Sequence, residues 1–456
     1  MLRFNKNTRT LEQDEYRYEL QNVSEPNLYR DIYSYGEIPK VPFNHRFVPM
    51  IPAEEVWITD TTFRDGQQAL PPFTVKHIVD LYEMIHKLGG PNGMIKQSEF
   101  FLYSDRDKEA IGRCLDKGYK YPEVTGWIRA NKKDFKLVKD MGLKETGILT
   151  SASDYHIFLK LKLNRKQAMD QYLDIVRSAL EKGIIPRCHL EDITRADFYG
   201  FVVPFAQELM KLAKEAKMPV KIRACDTMGY GVTYRGASLP RSVPGIVYGL
   251  TKLANVPSEW LEWHGHNDFY KVVNNAATAW LFGCSAANGT MLGIGERTGN
   301  APIEALVIEY ISLRGHANGM DTTVITNIAE YFDKEIGHKI SSNQPLVGSG
   351  FNVTKAGIHA DGLLKDEEIY NIFDTSKILN RPVAVSITDK SGIAGIALWI
   401  NSYLEFKDNK RIDKSNPKIL EIKKWVDEQY NSGRCTGISD AEMEQLTKEL
   451  FPEYFK

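Results

Sequence analysis

Two histidines stand two apart in EWHGHNDFYKVV, residues 262–273, followed directly by an asparagine and an aspartate. Side chains on a β-strand alternate faces, so on a strand His264 and His266 share a side and can share a metal ion; on a helix or loop they would not converge. Two neutral imidazoles and one carboxylate form a divalent-metal site that keeps positions open for substrate and water. Asp65, in TDTTFRDGQQ, is available as the carboxylate. Beside it, Arg64 offers a fixed cation with a planar donor fork, suited to a carbonyl oxygen that becomes negative in a transition state. Alone, an H-x-H pair is more often core packing and RDGQQ a polar turn. Together they point to a metal site facing an arginine.

Asp65 and the histidines lie far apart in sequence, so the fold must bring the ends of two strands together. From residue 56 to about 315, short β-rich runs ending in polar residues alternate with longer segments of helical spacing. Eight such runs read as strands, at 56–62, 93–101, 123–130, 145–151, 184–192, 220–229, 261–268 and 285–296. After the first, Ile78, Leu81, Tyr82, Ile85 and Leu88 recur at three- and four-residue spacing before glycines stop the helix. This alternation predicts an α/β fold, a (β/α)8 TIM barrel, rather than an open doubly wound sheet. No Gly-x-Gly-x-x-Gly follows the first strand to suggest a dinucleotide fold. In a closed barrel of eight, only the eighth strand separates the first from the seventh, which brings Asp65 near the histidine pair at the C-terminal mouth.

Residues 1–55, with the prolines and aromatics of YSYGEIPKVPFNHRFVP, predict an extended N-terminal segment laid on the surface, a candidate for an oligomer contact. The barrel is expected over 56–315. Residues 316–456 read as a Gly-rich link, NQPLVGSGFNVTKAGIHADGLLKDEEIY, into a smaller, mostly helical C-terminal region. There Ser439 and Glu442, in ISDAEMEQLTKELF, match a capping box.

With 456 residues, 58 basic against 59 acidic and 43% hydrophobic, the chain has ordinary globular composition. No block of like charge marks a nucleic-acid arm, and no run approaches the ~20 apolar residues of a membrane span. MLRFNKNTRTLEQDEY lacks the apolar centre of a signal peptide, so a cytoplasmic protein without nucleic-acid or membrane partners is expected. Cys114, Cys188, Cys225, Cys284 and Cys435 form no C-x-x-C pair, which favours reduced thiols over structural zinc or disulfides. Cys188 and Cys225, inside apolar strand runs, read as small buried side chains.

DTTFRDGQQ, EDITRADF, DTMGY, HGHND and GIGERTGNAPIE occur in the order and spacing of the DRE-TIM metallolyase superfamily. KAGIHADGLLK resembles its branch that condenses acyl-CoA with 2-oxo acids, and the whole resemblance spans about residues 56–400. It implies that Asp65, His264 and His266 bind the metal, with Mn2+ favoured and Mg2+, Co2+ or Zn2+ compatible, and that Arg64 polarises the substrate carbonyl. It also implies Glu191 as a catalytic carboxylate and Thr227 as a hydroxyl that contacts the 2-oxo acid carboxylate. His359, with Tyr370 as its partner, matches an acid–base histidine that reaches the active site of a neighbouring subunit, hence a homodimer. His156 matches a substrate-proximal histidine, and Gln67, Glu99 and Arg129 are expected to line the pocket. Gly293, Gly295 and Gly299 fit a tight turn after the eighth strand, held by a Glu296–Arg297 pair. The isopropylmalate branch carries an asparagine that adds a metal contact where this chain has Ile294. That argues against the branch and leaves three protein ligands.

The implied reaction is a Claisen-type addition in which a base removes a methyl proton from acetyl-CoA, the new carbanion adds to the 2-oxo acid, and thioester hydrolysis draws the reaction forward. Oxaloacetate or 2-oxoglutarate brings a second carboxylate that must be paired if buried. Arg187, four residues before Glu191 and on the same strand face, matches the arginine that homocitrate synthases use for that group, and Arg129 and Arg223 are further candidates. The substrate is therefore expected to be dicarboxylic. The long N-terminal lead, DGQQ, SEFFLYSD and the lack of a regulatory domain resemble Re-face citrate synthases most, so oxaloacetate and citrate are the expected pair. Homocitrate synthase is the alternative, then isopropylmalate or citramalate synthase. A hydroxymethylglutaryl-CoA-type lyase lacks the AGIHADG tail, and barrel metallohydrolases carry H-x-H on the first strand and aspartate on the last, the reverse of the order here.

Overall fold

The computed structural model describes residues 2–5, 10–13, 16–406 and 410–455. Of the segment weighed as a signal sequence, residues 1, 6–9, 14 and 15 lie outside these. Two compact units divide the chain, residues 1–321 and 322–456.

All eight expected strands form in the first unit: β1 (Trp57–Asp60), β2 (Ile95–Phe101), β3 (Glu123–Ile128), β4 (Glu145–Ser151), β5 (Ile185–Glu191), β6 (Lys221–Asp226), β7 (Leu261–Gly265) and β8 (Ala286–Gly289). They pair in parallel and in order, and β8 also pairs with β1, so the sheet closes into a barrel. Seven of the eight are shorter than their sequence runs, and for the first and last the local reason is plain. After β1 the Thr61 carbonyl accepts the N–H groups of Arg64, Asp65 and Gly66, which turns the chain inside the expected strand. After β8, Leu292 and Gly293 take the left-handed conformation, at φ 56° and 67°, and end the extended run.

The first helix, Val75–Gly89, buries Ile78, Leu81, Tyr82, Ile85 and Leu88 as its spacing predicts. It stops at Gly90, whose φ is 66° and whose added Cβ would lie 2.0 Å from the Gly319 carbonyl oxygen. The barrel interior departs from the usual filling of Val, Ile and Leu. Gln97, Glu99, Glu145, Arg187, His189, Arg223 and Glu262 are all buried there.

Residues 16–44 run as a strap across the βα loops. Asn27 N–H donates to Asp154 (2.7 Å), Tyr155 O–H to the Leu28 carbonyl (2.6 Å) and Tyr33 O–H to the Thr194 carbonyl (2.6 Å). Further along, Arg241 donates to the Lys40 carbonyl and Asn44 N–H to the Gly236 carbonyl. The loops after β4, β5 and β6 are thereby tied to one segment.

The second unit is built on helices Val324–Tyr331, Gly357–Lys365, Ile393–Tyr403, Pro417–Asn431 and Asp440–Leu450. The segment read as a Gly-rich link is more ordered than that, because Gly357–Lys365 is helical and Val353–Thr354 pairs in parallel with Ala384–Val385. Ile396, Ile400, Ile419, Ile422, Val426 and Met443 form its core. The expected capping box is present: Ser439 Oγ accepts from Glu442 N–H and Glu442 accepts from Ser439 N–H. Among the described residues no helix is long and apolar enough to cross a membrane.

Candidate active site

The metal triad assembles at the C-terminal ends of β7 and β1. His264 is the penultimate residue of β7, and His266 follows its end, where it bridges to Asn300 and donates its N–H to the Asp226 carbonyl. Asp65 begins the short 3-10 turn Gly66–Ala69 after β1. Nε2 of His264 and Nε2 of His266 lie 3.5 and 3.6 Å from Asp65 Oδ2. Those separations approach the ~3.0–3.4 Å edges of a coordination shell with ~2.1 Å bonds. All three side chains are buried.

A relay through β8 and β1 sets the ring of His264. Asn288 Nδ2 donates to the Thr59 carbonyl (3.3 Å) and hydroxyl (3.0 Å), which turns Asn288 Oδ1 toward His264 Nδ1 at 2.8 Å. An amide oxygen only accepts, so Nδ1 carries the proton and Nε2 presents its lone pair toward Asp65. Burial holds the His264 imidazole neutral, its pKa pushed down to about 3 against the attraction of Asp65. Burial opposes ionisation of Asp65, yet Arg64, the two histidines and the Asn300 amide keep its carboxyl well below the usual range. A neutral, proton-directed imidazole beside an ionised carboxylate is the donor set a divalent cation requires.

Asn300 is a group the sequence reading passed over. Its Nδ2 lies 2.7 Å from Asp65 Oδ2, and its Oδ1 is buried without a hydrogen-bond partner. A half-turn of the amide would present that oxygen to an ion held by Asp65, as a fourth ligand beyond the three expected. Ile294 packs where Gly66 has no side chain, since a Cβ there would lie 2.9 Å from Ile294 Cγ1. The turn glycines behave as expected: Gly293 and Gly299 have φ of 67° and 86°, and a Cβ on Gly295 would lie 2.7 Å from Asn300 Oδ1. The Glu296–Arg297 pair does not form. Arg297 instead binds Asp268 (2.9 Å) and the Thr227 carbonyl (2.6 Å), joining the loops after β6, β7 and β8.

Arg64 reaches inward beside the triad, with Nη1 3.1 Å from Asp65 and Nε 2.9 Å from Glu99. Glu99, expected at the pocket wall, also receives Arg187 (2.8 Å), Arg223 (2.9 Å) and the Thr61 hydroxyl (3.0 Å). Burial opposes its ionisation, but Arg223, Arg64, His189 and Arg187 hold its carboxyl well below the usual range. At the end of β5, Glu191 accepts from Ser151 and lies 3.1 Å from His156 Nδ1 and 3.5 Å from Lys160. These neighbours outweigh burial and bring its pKa down to about 2, so Glu191 is a carboxylate that orients His156. Thr227 Oγ1 accepts from Asp192 N–H at 2.8 Å, which leaves its own proton free to donate.

Three expected barrel residues are set otherwise, and two more belong to the second unit. Arg187 faces inward but lies four residues below Glu191, its guanidinium taken by Glu99, Gln97 (3.0 Å) and Glu145 (3.1 Å). A substrate carboxylate would have to displace one of these. Arg129 lies on the rim, paired with Asp134 at 3.1 Å and set over the Tyr103 ring, with its side chain 66% exposed. His359 and Tyr370 belong to the second unit, both exposed, with rings 4.6 Å apart. Gln67 lines a shallow recess with Tyr103 and Arg106. The strand cysteines Cys188 and Cys225 are buried, and burial pushes the Cys188 thiol up to about 12.

Comparison with known proteins gives a match to the HMGL-like family over residues 55–331. Citrate (Re)-synthase of Clostridium kluyveri is 58% identical over 438 residues, covering 96% of this chain and 97% of that one. Citrate (Re)-synthase of Syntrophus aciditrophicus is 59% identical, over 100% of this chain and 73% of its relative. 2-Phosphinomethylmalate synthase of Streptomyces hygroscopicus is 36% identical, over 95% of this chain and 98% of that protein. The crystal structure of hydroxymethylglutaryl-CoA lyase from Pseudomonas aeruginosa, 18% identical, superposes with a TM-score of 0.50 over 63% of this chain and 95% of that one, a likeness of fold.

Proposed function

The chain belongs to the HMGL-like family, and we propose that it condenses acetyl-CoA with oxaloacetate to give citrate and CoA, as a citrate (Re)-synthase. The near-full-length similarity to two enzymes of that name carries this reading, because it takes in both the barrel with its metal triad and the second unit with His359.

The geometry suits the steps. Arg64, fixed between Asp65 and Glu99, holds the keto oxygen of the 2-oxo acid and stabilises the negative charge that develops there. Asp65, His264 and His266 would hold a divalent cation, Mn2+ in this reading, which would supply Lewis acidity to the site. The Thr227 hydroxyl donates to the adjacent carboxylate, and Glu191 keeps His156 facing the substrate. The acid–base histidine of a neighbouring subunit, His359, takes a methyl proton from acetyl-CoA, which gives the carbon nucleophile. The new C–C bond forms as the carbonyl electron pair moves onto oxygen. That oxygen is then protonated, with His359 and Tyr370 of a neighbouring subunit as the acid, and water cleaves the thioester to release CoA. The reading thus includes a homodimer, and a cytoplasmic setting fits the free thiols.

The test is CoA release from acetyl-CoA and Mn2+ with oxaloacetate, 2-oxoglutarate, 2-oxoisovalerate and pyruvate in parallel. Turnover is expected with oxaloacetate, and labelled citrate should show Re-face addition. Turnover confined to a monocarboxylic acid would overturn the proposal.

A further inference from the structure

Among the described residues, the indole N–H groups of Trp127, Trp263 and Trp280 are buried without a hydrogen-bond partner. Trp263 stands between Glu262 and His264, both inward, so it faces the outer helices. Trp280 lies in the last turn of helix Val272–Leu281, just before the start of β8, at the opposite end of the barrel from the mouth. Trp127 differs from both. On β3 it comes two residues after Thr125, whose hydroxyl accepts from Arg187 inside the barrel at 3.2 Å, so it shares that inner face one step nearer the mouth.

The indole is held between two groups. The Arg64 guanidinium lies 5.6 Å from its ring centroid, and the Phe101 ring packs against it at 90° and 5.5 Å. The cation–π attraction and the edge contact fix the ring plane, and with it the direction of the N–H. Arg64 is itself fixed by Asp65 and Glu99, at 3.1 and 2.9 Å. A donor kept unpaired beside a fixed arginine is pre-organised for charge that appears only during a reaction.

In the condensation proposed above, negative charge develops on two oxygens in turn. As a base takes the methyl proton, the C–H electron pair becomes a C=C bond and the carbonyl pair moves onto the thioester oxygen. As that C=C pair attacks, the keto oxygen takes the charge and the thioester carbonyl re-forms. In that reaction Arg64 meets the keto oxygen and the Thr227 hydroxyl meets the adjacent carboxylate, so the thioester oxygen needs a donor of its own. The methyl carbon must come within about 3–3.5 Å of the keto carbon, which carries the thioester oxygen to the wall beside Arg64 where the indole N–H stands. An indole only donates, so it can stabilise this oxygen without giving up its proton.

We infer that Trp127 is a further catalytic residue: its Nε1–H donates a hydrogen bond to the thioester oxygen of acetyl-CoA as the enolate forms. This rests on the reaction proposed above and assigns the group that stabilises its first charged intermediate.

The experiment compares the parent with Trp127→Phe and with Trp127→3-benzothienylalanine, which keeps the bicyclic ring and puts sulfur in place of the N–H, each confirmed folded by circular dichroism. The readouts are kcat and KM from CoA release, the isotope effect with trideuterioacetyl-CoA, and thermal protection by oxaloacetate with Mn2+. Both variants should lose about 10²-fold in kcat, with an isotope effect at least as large as the parent's. KM for oxaloacetate and its thermal protection should stay within about twofold, because the hydrogen bond is made only once charge develops. A benzothienyl variant with kcat within about threefold of the parent overturns the inference, since the ring and not its N–H would then matter. A loss carried by weaker oxaloacetate binding overturns it too, as does an isotope effect that vanishes. A parent that releases CoA only with another 2-oxo acid overturns the proposed substrate instead, and the same fall in kcat with that acid would still support Trp127.

Discussion

Below the mouth of the barrel, Glu99, Glu145 and Glu262 are buried among Arg187, Arg223 and Lys221; in the second unit, Ile396, Ile400, Ile419, Ile422 and Val426 are buried among one another. Apolar packing gains from every methylene removed from water and tolerates a small loss. A buried ionic cluster gains little net free energy, because desolvation offsets attraction, yet leaves a stranded charge when one partner goes. The barrel therefore holds Arg64 and the triad in place at the cost of tolerance, while the second unit keeps a core that yields gradually.

Breaking the hub of the ionic cluster should have the largest effect. Glu99→Gln removes one carboxylate shared by Arg64, Arg187 and Arg223, leaving them only Asp65, Glu145 and Glu262, and should cost about 3–5 kcal/mol in chemical denaturation, with turnover nearly lost. A cost under ~1 kcal/mol would show that the cluster is no more brittle than apolar packing.

Glu304 sharpens the contrast, since it is a buried carboxyl of the same unit with no cation within salt-bridge distance among the described residues, and backbone N–H groups, that of Leu292 and its own, donate to it. Burial pushes its pKa up to about 7. The folded state thus favours the protonated form, so the penalty is absent at low pH, grows as pH rises above the ordinary carboxyl value, and is complete above about 7. Glu304→Gln removes the titration. Its stability relative to the parent should rise between pH 5 and pH 8 by on the order of 1–3 kcal/mol, read as a widening gap in melting temperature. A gap that does not change with pH would mean that Glu304 is paired after all.

The smallest effect belongs to the apolar core. Ile422→Val, at a fully buried position, should lower stability by only about 0.5–1.5 kcal/mol and leave KM for both substrates unchanged. A loss as large as that of Glu99→Gln would erase the distinction between the two interiors.

How far these features could be read in advance depended on range. His264 and His266 were legible because strand alternation is local, and the helix over Val75–Gly89 because its apolar spacing is. Arg187 was legible for its face and not for its neighbours, since period-two alternation says which way a side chain points but not how deep along the barrel it lies or which carboxylates wait there. Arg129, one residue past β3, escaped the alternation rule altogether and turned to Asp134. Asn300 and Asn288 act through contacts made only when the chain returns after β8, and nothing in their immediate neighbours announces that. The Arg297–Asp268 pair was misassigned for the same reason: the adjacent Glu296 was the only partner that sequence proximity could offer.

The strap over the loops after β4, β5 and β6 has a consequence in time. Its partners stand 127 to 201 positions further along the chain, at Asp154, Thr194 and Arg241 among others. During synthesis, residues 16–44 emerge before every barrel strand and wait in solvent until six strands and the loops after β4, β5 and β6 have been made. Closing contacts over such separations is slow, because chain entropy is lost before any contact forms. Docking of the strap is then a late event of folding and its release an early event of unfolding, so the loops carrying His156 and Thr194 should become susceptible to proteases before the strands beneath them open.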